Sequence, residues 1–372
     1  MALSRGDPVP WFTVRSTTNP QFKFDTVAGR YIVLSFIGSA TGVTGRRILD
    51  DVMQFRQRYD DVDCCFFGVS IDPQDELLGR LRDDLPGVRF FWDFDRKVSE
   101  QFGAVAAGSL ASPSVEYRAF TLLFDTRLRV LDTIPSDGLH AQRLATAMNA
   151  LGTADPPVAG AGLAPVLVVP RIFEPEFCRK LIDLYEQSGG EDSGFMRDVE
   201  GKSMIKFDYG HKRRRDYNIE EEEIRKAAMF CIHRRLIPEI RKAFQFHATR
   251  MERYIVACYE PPTADIPEGG HFRPHRDNTT KGTAHRRFAV SLNLNTGEYT
   301  GGELRFPEFG RQTYSPPAGG AIVFSCSLLH EATPILSGKR YVFLPFLYDD
   351  EAAKIRAANN VFLGEGVPKY QP

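Results

Sequence analysis

The chain has 372 residues, 42% of them apolar and 26% charged, a balance that excludes wholesale disorder. At about 150 residues per domain, that length predicts two or three units, each able to bury a core. Lys+Arg 47 against Asp+Glu 48 leaves a net charge of −1, which argues against a nucleic-acid binder, and no apolar run is long enough to cross a membrane.

The opening MALSRGDPVPWF reaches a proline pair before any hydrophobic stretch, so no secretory leader is expected. Residues 31–37 (YIVLSFI) read as a strand, and Ile48, Val52, Phe55 and Tyr59 then recur at helical spacing. Residues 64–71 (CCFFGVSI) are a second apolar strand, and DELLGRLRDDL reads as a short helix. AFTLLFD at 119–125 is a strand with a hairpin partner at 128–133, and a helix follows His140. This alternation predicts a layered α/β domain with a largely parallel sheet over residues 1–151. GTADPPVAGAG marks a linker at 152–163, where proline and small residues carry no hydrophobic period. The six cysteines, mostly inside apolar runs, read as reduced thiols, and the cytoplasm is the expected setting.

Residues 164–372 follow a different order. EPEFCRKLIDLYEQSGG predicts a helix with Pro175 near its start and Gly189-Gly190 as its stop. A longer helical stretch, about 219–247, carries Pro238 as a kink or break. From Glu252 onward, ERYIVACY, RRFAVSLNLN, GELRF, GAIVFSC and RYVFLPFLY read as successive strands. Helices followed by strands predict an α+β domain with a sandwich or jelly-roll core.

The chemistry-bearing residues lie among these strands. His275-Arg276-Asp277 follows a strand-like stretch, His330 ends another strand, and Arg340 begins the next. Two imidazoles and one carboxylate form the facial ligand set for non-haem Fe(II), with three positions left for a chelating cosubstrate and O2. His-x-Asp suits a strand end, because residues i and i+2 project to the same side. A guanidinium one strand onward would hold the remote carboxylate of a dicarboxylate cosubstrate. His271, Arg286 and Arg287 flank this set as candidate substrate contacts, with the choice between the two arginines left open by alternation alone. His233 and His247 read as packing or surface residues. The run His211 to Arg215 reads by default as a solvated face, with contact to an anionic substrate or partner as the alternative.

ACY at 257–259, HFRPHRD at 271–277, RRFAVSLNLN, GGELRFPE and HEATPILSGKRYVF together resemble the Fe(II)/2-oxoglutarate-dependent dioxygenases of the prolyl 4-hydroxylase type. With the lead-in APVLVVPRIFEPEFCRKLI, the resemblance spans roughly residues 164–349. It implies a double-stranded β-helix (jelly-roll) core. It also implies iron held by His275, Asp277 and His330, with Arg340 on the distal carboxylate of 2-oxoglutarate and Tyr259 beside the cosubstrate. Ascorbate is the stimulant such a site implies. The implied reaction couples decarboxylation of 2-oxoglutarate to hydroxylation of a peptidyl residue, free amino acid or small metabolite, releasing succinate and CO2. Halogenating relatives lack the carboxylate ligand, so Asp277 points to hydroxylation. Two features depart from the pattern: the loop from Glu260 to Gly270 is long, and Asn293 stands where an aromatic residue is common.

Residues 5–150 resemble the peroxiredoxins of the thioredoxin-like superfamily, through GDPVPWFTV, DCCFFGVSID and RAFTLLFD, which carries Arg118 at the place of the active-site arginine. Peroxide reduction needs a thiolate at the first turn of a helix. Along LSFIGSATGVTGRRIL the nucleophile position falls at Gly45, and the usual Pro and Thr positions at Gly38 and Gly42. Cys64 and Cys65 lie mid-strand and read as buried structural thiols. The expectation is therefore a thioredoxin fold without peroxidase function, offering a surface for homo-oligomerisation or substrate presentation. A non-catalytic scaffold and a thiol peroxidase are the alternatives; the intact ligand set speaks against the first and Gly45 against the second.

Overall fold

The computed structural model describes residues 3–110, 114–152, 163–264 and 267–371. The chain separates into two compact units, Met1–Val158 and Ala159–Pro372. The sequence-based linker falls almost wholly on residues 153–162, outside the described residues.

The first unit is built on a seven-stranded sheet in the order Phe22–Lys23, Thr13–Ser16, Val88–Trp92, Cys64–Ser70, Tyr31–Gly38, Phe120–Phe124, Val130–Pro135. The three central strands are parallel to one another, while the flanking pairs are antiparallel, so the sheet is mixed rather than largely parallel. The hairpin at 120–135 accounts for the reversal between its own two strands. The central strands are apolar throughout because both faces are covered. Ile32, Leu34 and Phe36 face one core, with Phe12, Phe24 and Phe102. Val33 and Ile37 face the other, with Ile48 and Val52 of the helix Val43–Met53 and Leu144 of the helix His140–Asn149. The helix expected over DELLGRLRDDL is confined to Pro73–Leu77. Asp72 caps its start by accepting from Gln74 N, and Gly79 at φ +61 turns the chain left-handed just beyond.

In the second unit the helix Pro175–Ser188 ends at Gly189, φ +76, a left-handed cap. The predicted long helix runs as Glu222–Cys231, a π turn at Ile232–Leu236, and Ile237–Phe244 with Pro238 in its first turn. A proline there removes an N–H and crowds the preceding turn, which the wider π register accommodates. These helices cover one face of a nine-stranded sheet, which includes Phe288–Asn293, Arg340–Phe343 and Ile255–Tyr259. A five-stranded sheet holds Lys212–Arg213, His271–His275, His330–Ala332, Leu304–Arg305 and Thr313–Tyr314. From His271 onward the main strands alternate between the two sheets. The period of two sorts the side chains: Val256 and Cys258 pack toward the helices, whereas Ala257 and Tyr259 join Phe272 and Ala332 in a separate core cluster. Among the described residues, no helix is long and apolar enough to cross a membrane.

Candidate metal centre

His275 is the last residue of its strand, and the register sets it opposite His330, the first residue of the neighbouring strand. Their rings stand 4.3 Å apart, centroid to centroid. Asp277 follows just past the strand end, where its N–H donates to Cys326 O at 2.9 Å. Its carboxylate oxygens lie 3.6 Å from His275 Nε2 and 3.3 Å from His330 Nε2. The three ligand atoms fall within 4.8 Å of one another.

The tautomers follow from the backbone. His275 Nδ1 lies 2.8 Å from Arg273 O, and His330 Nδ1 lies 3.0 Å from Leu328 O. A carbonyl only accepts, so each Nδ1 carries the proton and each Nε2 presents a lone pair toward Asp277. Burial, with His330 adding to it, pushes the His275 imidazole well below its ordinary pKa, toward the neutral form a metal needs. Burial pulls the Asp277 carboxyl upward, but protonated His330 and His275 together with Arg286 outweigh it, and a divalent metal would take the place of those Nε2 protons. Ligands about 2.1 Å from one ion stand roughly 3 Å apart when cis, so this donor set fits a divalent metal with a small contraction.

Beyond the ligands lies a cavity of about 990 Å³, lined by His275, Asp277, His330, Tyr259 and Arg340, among others. Arg340 is only 2% exposed, and its Nη2 donates to Ser291 Oγ and Asn293 Oδ1, both at 2.9 Å. Its Nε is buried without a hydrogen-bond partner. Among the described residues no carboxylate pairs with it, and a buried guanidinium left in that state is costly. An incoming carboxylate would satisfy it. The Tyr259 ring lies 5.3 Å from the Arg340 guanidinium, and Arg214 Nη1 donates to the Tyr259 hydroxyl at 3.5 Å.

The candidate substrate contacts divide. Arg286 lines the cavity, donating from Nε to Glu252 at 2.6 Å and from Nη1 to the Asp277 carbonyl at 3.4 Å. Arg287 does not line it and bonds Ala284 O instead. His271 is buried off the cavity, its Nδ1 3.0 Å from Gly269 O; regular alternation would put it on the same face as His275, but the pairing irregularity between Phe272 and His275 breaks that alternation. His233 and His247 are exposed.

The basic run is a correction. Lys212 and Arg214 are buried and line the cavity with Asp216, so the default reading of 211–215 as a solvated face fails. The run enters two short strands, Lys212–Arg213 and Arg215–Asn218, and alternation sends every second side chain inward. Sequence reasoning also missed Glu252 and Arg253. The alternation of Lys212, Arg214 and Asp216 was the available signal.

Residues 255–348 match the 2OG-Fe(II) oxygenase superfamily. The chain carries a 2OG-Fe(II) oxygenase domain. In front of that oxygenase domain, residues 5–129 match the AhpC/TSA family, and the unit has a thioredoxin-like fold. The oxygenase region is 30% identical over 106 residues to a PKHD-type hydroxylase of Hyphomonas neptunium, covering 25% of this chain and 47% of that protein. A PKHD-type hydroxylase of Cupriavidus metallidurans is 35% identical over 91 residues, covering 22% and 40%. The chain thus spans about half the length, or less, of the curated relatives it matches. Among solved structures, a prolyl hydroxylase from Trichoplax adhaerens, in complex with a hypoxia inducible factor oxygen degradation domain peptide fragment, aligns at TM-score 0.40 and 16% identity, covering 51% of this chain and 86% of that one. A peroxidoxin from Mycobacterium tuberculosis aligns at TM-score 0.33 and 20% identity, covering 40% and 99%.

The AhpC/TSA-type unit has no thiol at the helix start. Gly45 sits in the first turn of Val43–Met53, and an added Cβ would meet Ser39 O at 2.3 Å and Ile37 O at 2.5 Å. Burial pushes the Cys64 and Cys65 thiols up to about 12. Arg118 is exposed just before its strand.

Proposed function

We propose that the chain is a non-haem Fe(II)- and 2-oxoglutarate-dependent dioxygenase. It would hydroxylate a C–H bond of a peptidyl residue, a free amino acid or a small metabolite, with succinate and CO2 released. The observation that carries this reading is the pairing of two aimed Nε2 lone pairs and a carboxylate with a buried, carboxylate-free guanidinium in one cavity.

His275, Asp277 and His330 hold the iron, which supplies the redox chemistry with O2 when bound; ascorbate is the expected stimulant. Arg340 binds the distal carboxylate of 2-oxoglutarate, and Ser291 and Asn293 fix its orientation. Tyr259 packs beside it. Arg286, tied to Glu252, braces the Asp277 backbone and so steadies a ligand. The N-terminal unit contributes no thiol chemistry, and its role is a surface for self-association or for presenting substrate.

The test is anaerobic loading of the full chain with Fe(II), then 2-oxoglutarate, followed by admission of O2. A weak visible band on adding 2-oxoglutarate, then stoichiometric succinate, is expected. Absence of both rejects the reading.

A further inference from the structure

One wall of the cavity carries more positive charge than the oxygenase reading uses. Lys212, Arg214, Arg253, Arg286 and Arg356 line it, together with the carboxylates Asp216 and Glu252. Asp216 receives two bonds from Arg214, at 2.7 and 2.8 Å, and one from Arg253 Nη2 at 3.1 Å. Glu252 accepts from Arg286 Nε at 2.6 Å, pairs with Arg356 Nη2 at 2.6 Å, and lies 3.1 Å from His285 Nε2. Lys212 Nζ donates to neutral oxygens, Ser193 Oγ and Gly194 O, each at 2.7 Å. Burial, with Arg214 adding to it, pushes the Lys212 ammonium well below its ordinary range, so four guanidinium groups share two carboxylates. Exposed residues of both signs at the cavity's edge lie in water, where screening weakens them. The cosubstrate does not remove the excess. Its two carboxylates are matched by a divalent ion and Arg340, less the charge of Asp277.

Arg253 is the cation with donors to spare. It bonds Asp216 through one nitrogen, yet its side chain remains 33% exposed, reached by water through the cavity. Its backbone is left-handed at φ +65, which is uncommon for a long side chain and is the kind of strain that gathers at binding sites. Its guanidinium lies 6.0 Å from the Phe346 ring, and that of Arg286 lies 3.9 Å from the same ring. Arg286 in turn reaches the Asp277 carbonyl, so Arg253 shares the Phe346 ring with a residue that touches the backbone of a metal ligand. Partial desolvation within the wall, with Arg214 and Arg286 adding to it and Asp216 opposing it, pushes the Arg253 guanidinium down to about 10. An arriving anion would offset the repulsion among these guanidinium groups.

We infer that this wall receives an oxyanionic group of the substrate, a carboxylate or a phosphate, with Arg253 as its direct partner and Arg214 strengthening the field. The inference rests on the oxygenase reading and narrows its substrate class to molecules that carry an anion close to the carbon attacked.

The experiment uses the full chain loaded with Mn(II) and saturating 2-oxoglutarate. Its melting temperature is followed against millimolar propionate, butyrate and hexanoate, against the matching amides, and against inorganic phosphate. A concentration-dependent rise with carboxylates or phosphate is expected, none with amides, and the two anion arms identify the group. Arg253→Asn, which suits the left-handed backbone, should weaken the anion response roughly tenfold or more, and Arg253→Lys should restore part of it. If Arg253→Asn does not fold, Arg253→Gly, which the left-handed backbone also accepts, carries the same comparison. Amides as effective as acids, no response to any anion, or a response that survives loss of the cation overturns the inference. The shift caused by 2-oxoglutarate itself, lost in Arg340→Ala, reports separately on the oxygenase reading. If it is present while anions do nothing, only the inference falls; if it is absent, both fall.

Discussion

Arg340 donates from Nη2 to Asn293 Oδ1 at 2.9 Å, so the residue that departs from the family's aromatic pattern is the one that aims the cosubstrate-binding cation. Asn293 is itself fixed, its Nδ2 donating to Tyr299 Oη at 2.8 Å and to Thr296 Oγ1 at 3.1 Å. Arg340→Ala would leave the distal carboxylate of 2-oxoglutarate unpaired, costing about 2–5 kcal/mol and raising the 2-oxoglutarate requirement roughly tenfold or more. Asn293→Ala frees the guanidinium without removing it, and about 1–3 kcal/mol is expected. Lys339 reaches outward to Glu186 at 3.1 Å, so Lys339→Ala should leave 2-oxoglutarate binding unchanged. Anaerobic titration of 2-oxoglutarate into the Fe(II) protein checks all three. A larger effect at Lys339 than at Arg340 would reject the assignment.

Iron binding should depend on both imidazoles. His275→Ala or His330→Ala removes an Nε2 donor whose direction the backbone carbonyl had already set, and no neighbouring donor stands ready to replace it among the described residues. Each variant is expected to abolish the visible band that 2-oxoglutarate develops with Fe(II). His271→Ala, off the cavity, should retain it. A band surviving in His275→Ala would mean that another group holds the metal.

How far the sequence carries this site depends on element length. The strands that hold His275, His330 and Arg340 sit in a long run of β-rich segments, so their pattern and their turns were legible. The segment from Glu191 to Asn218 was not. Its strands are two to five residues long, too short for a period of two to declare itself. The hairpin Phe195–Val199 with Lys202–Lys206 turns on Glu200 and Gly201, both at positive φ, and only that Gly hinted at it. Charge misled as well. Lys212 and Arg214 look like surface residues until Asp216 is placed on their own face by alternation and Glu252 and Arg253 are brought beside them by a segment far along the sequence. The carboxylates that make their burial tolerable were visible, but not as partners.

That arrangement predicts a stability effect. Asp216 is 8% exposed and serves Arg214 and Arg253 together. Asp216→Asn leaves the buried Arg214 guanidinium, and the partly exposed Arg253 beside it, without a carboxylate, and a loss of about 3–5 kcal/mol is expected. Burial acts to raise the Asp216 carboxyl, but Arg214, Lys212 and Arg253 outweigh it and hold it far below the usual range. Its contribution is therefore complete above the unfolded pKa of about 3.9 and declines only as pH falls below that value. Thermal unfolding at pH 7 and pH 5 should show the same deficit in the variant. Arg179→Ala, which removes an exposed pair with Glu298, should cost under about 1 kcal/mol. Equal effects from the two changes would reject the buried-network account.

The last prediction concerns the N-terminal unit, whose fold suggests thiol chemistry that its residues do not support. At neutral pH a thiol pushed up to about 12 is almost entirely protonated, and this holds for Cys64, Cys65, Cys178 and Cys258. Burial raises Cys326 as well, so Cys231, which is only half-buried, should be the first of the six to react with an alkylating reagent in the native protein. Peptide mapping after a brief exposure at pH 8 reads this directly. Peroxide consumption should be absent in the full chain, and Cys64→Ser and Cys65→Ser should change nothing. Installing the missing nucleophile should fail too. A side chain at Gly45 runs into Ser39 O and Ile37 O, both backbone atoms that cannot rotate away. Gly45→Cys and Gly45→Ala should each destabilise the unit by about 1–3 kcal/mol, and Gly45→Cys should gain no peroxidase activity. A Gly45→Cys protein that folds as well as the parent and reduces peroxide would show that only the thiol had been lost, and that the helix start still holds the shape for the reaction.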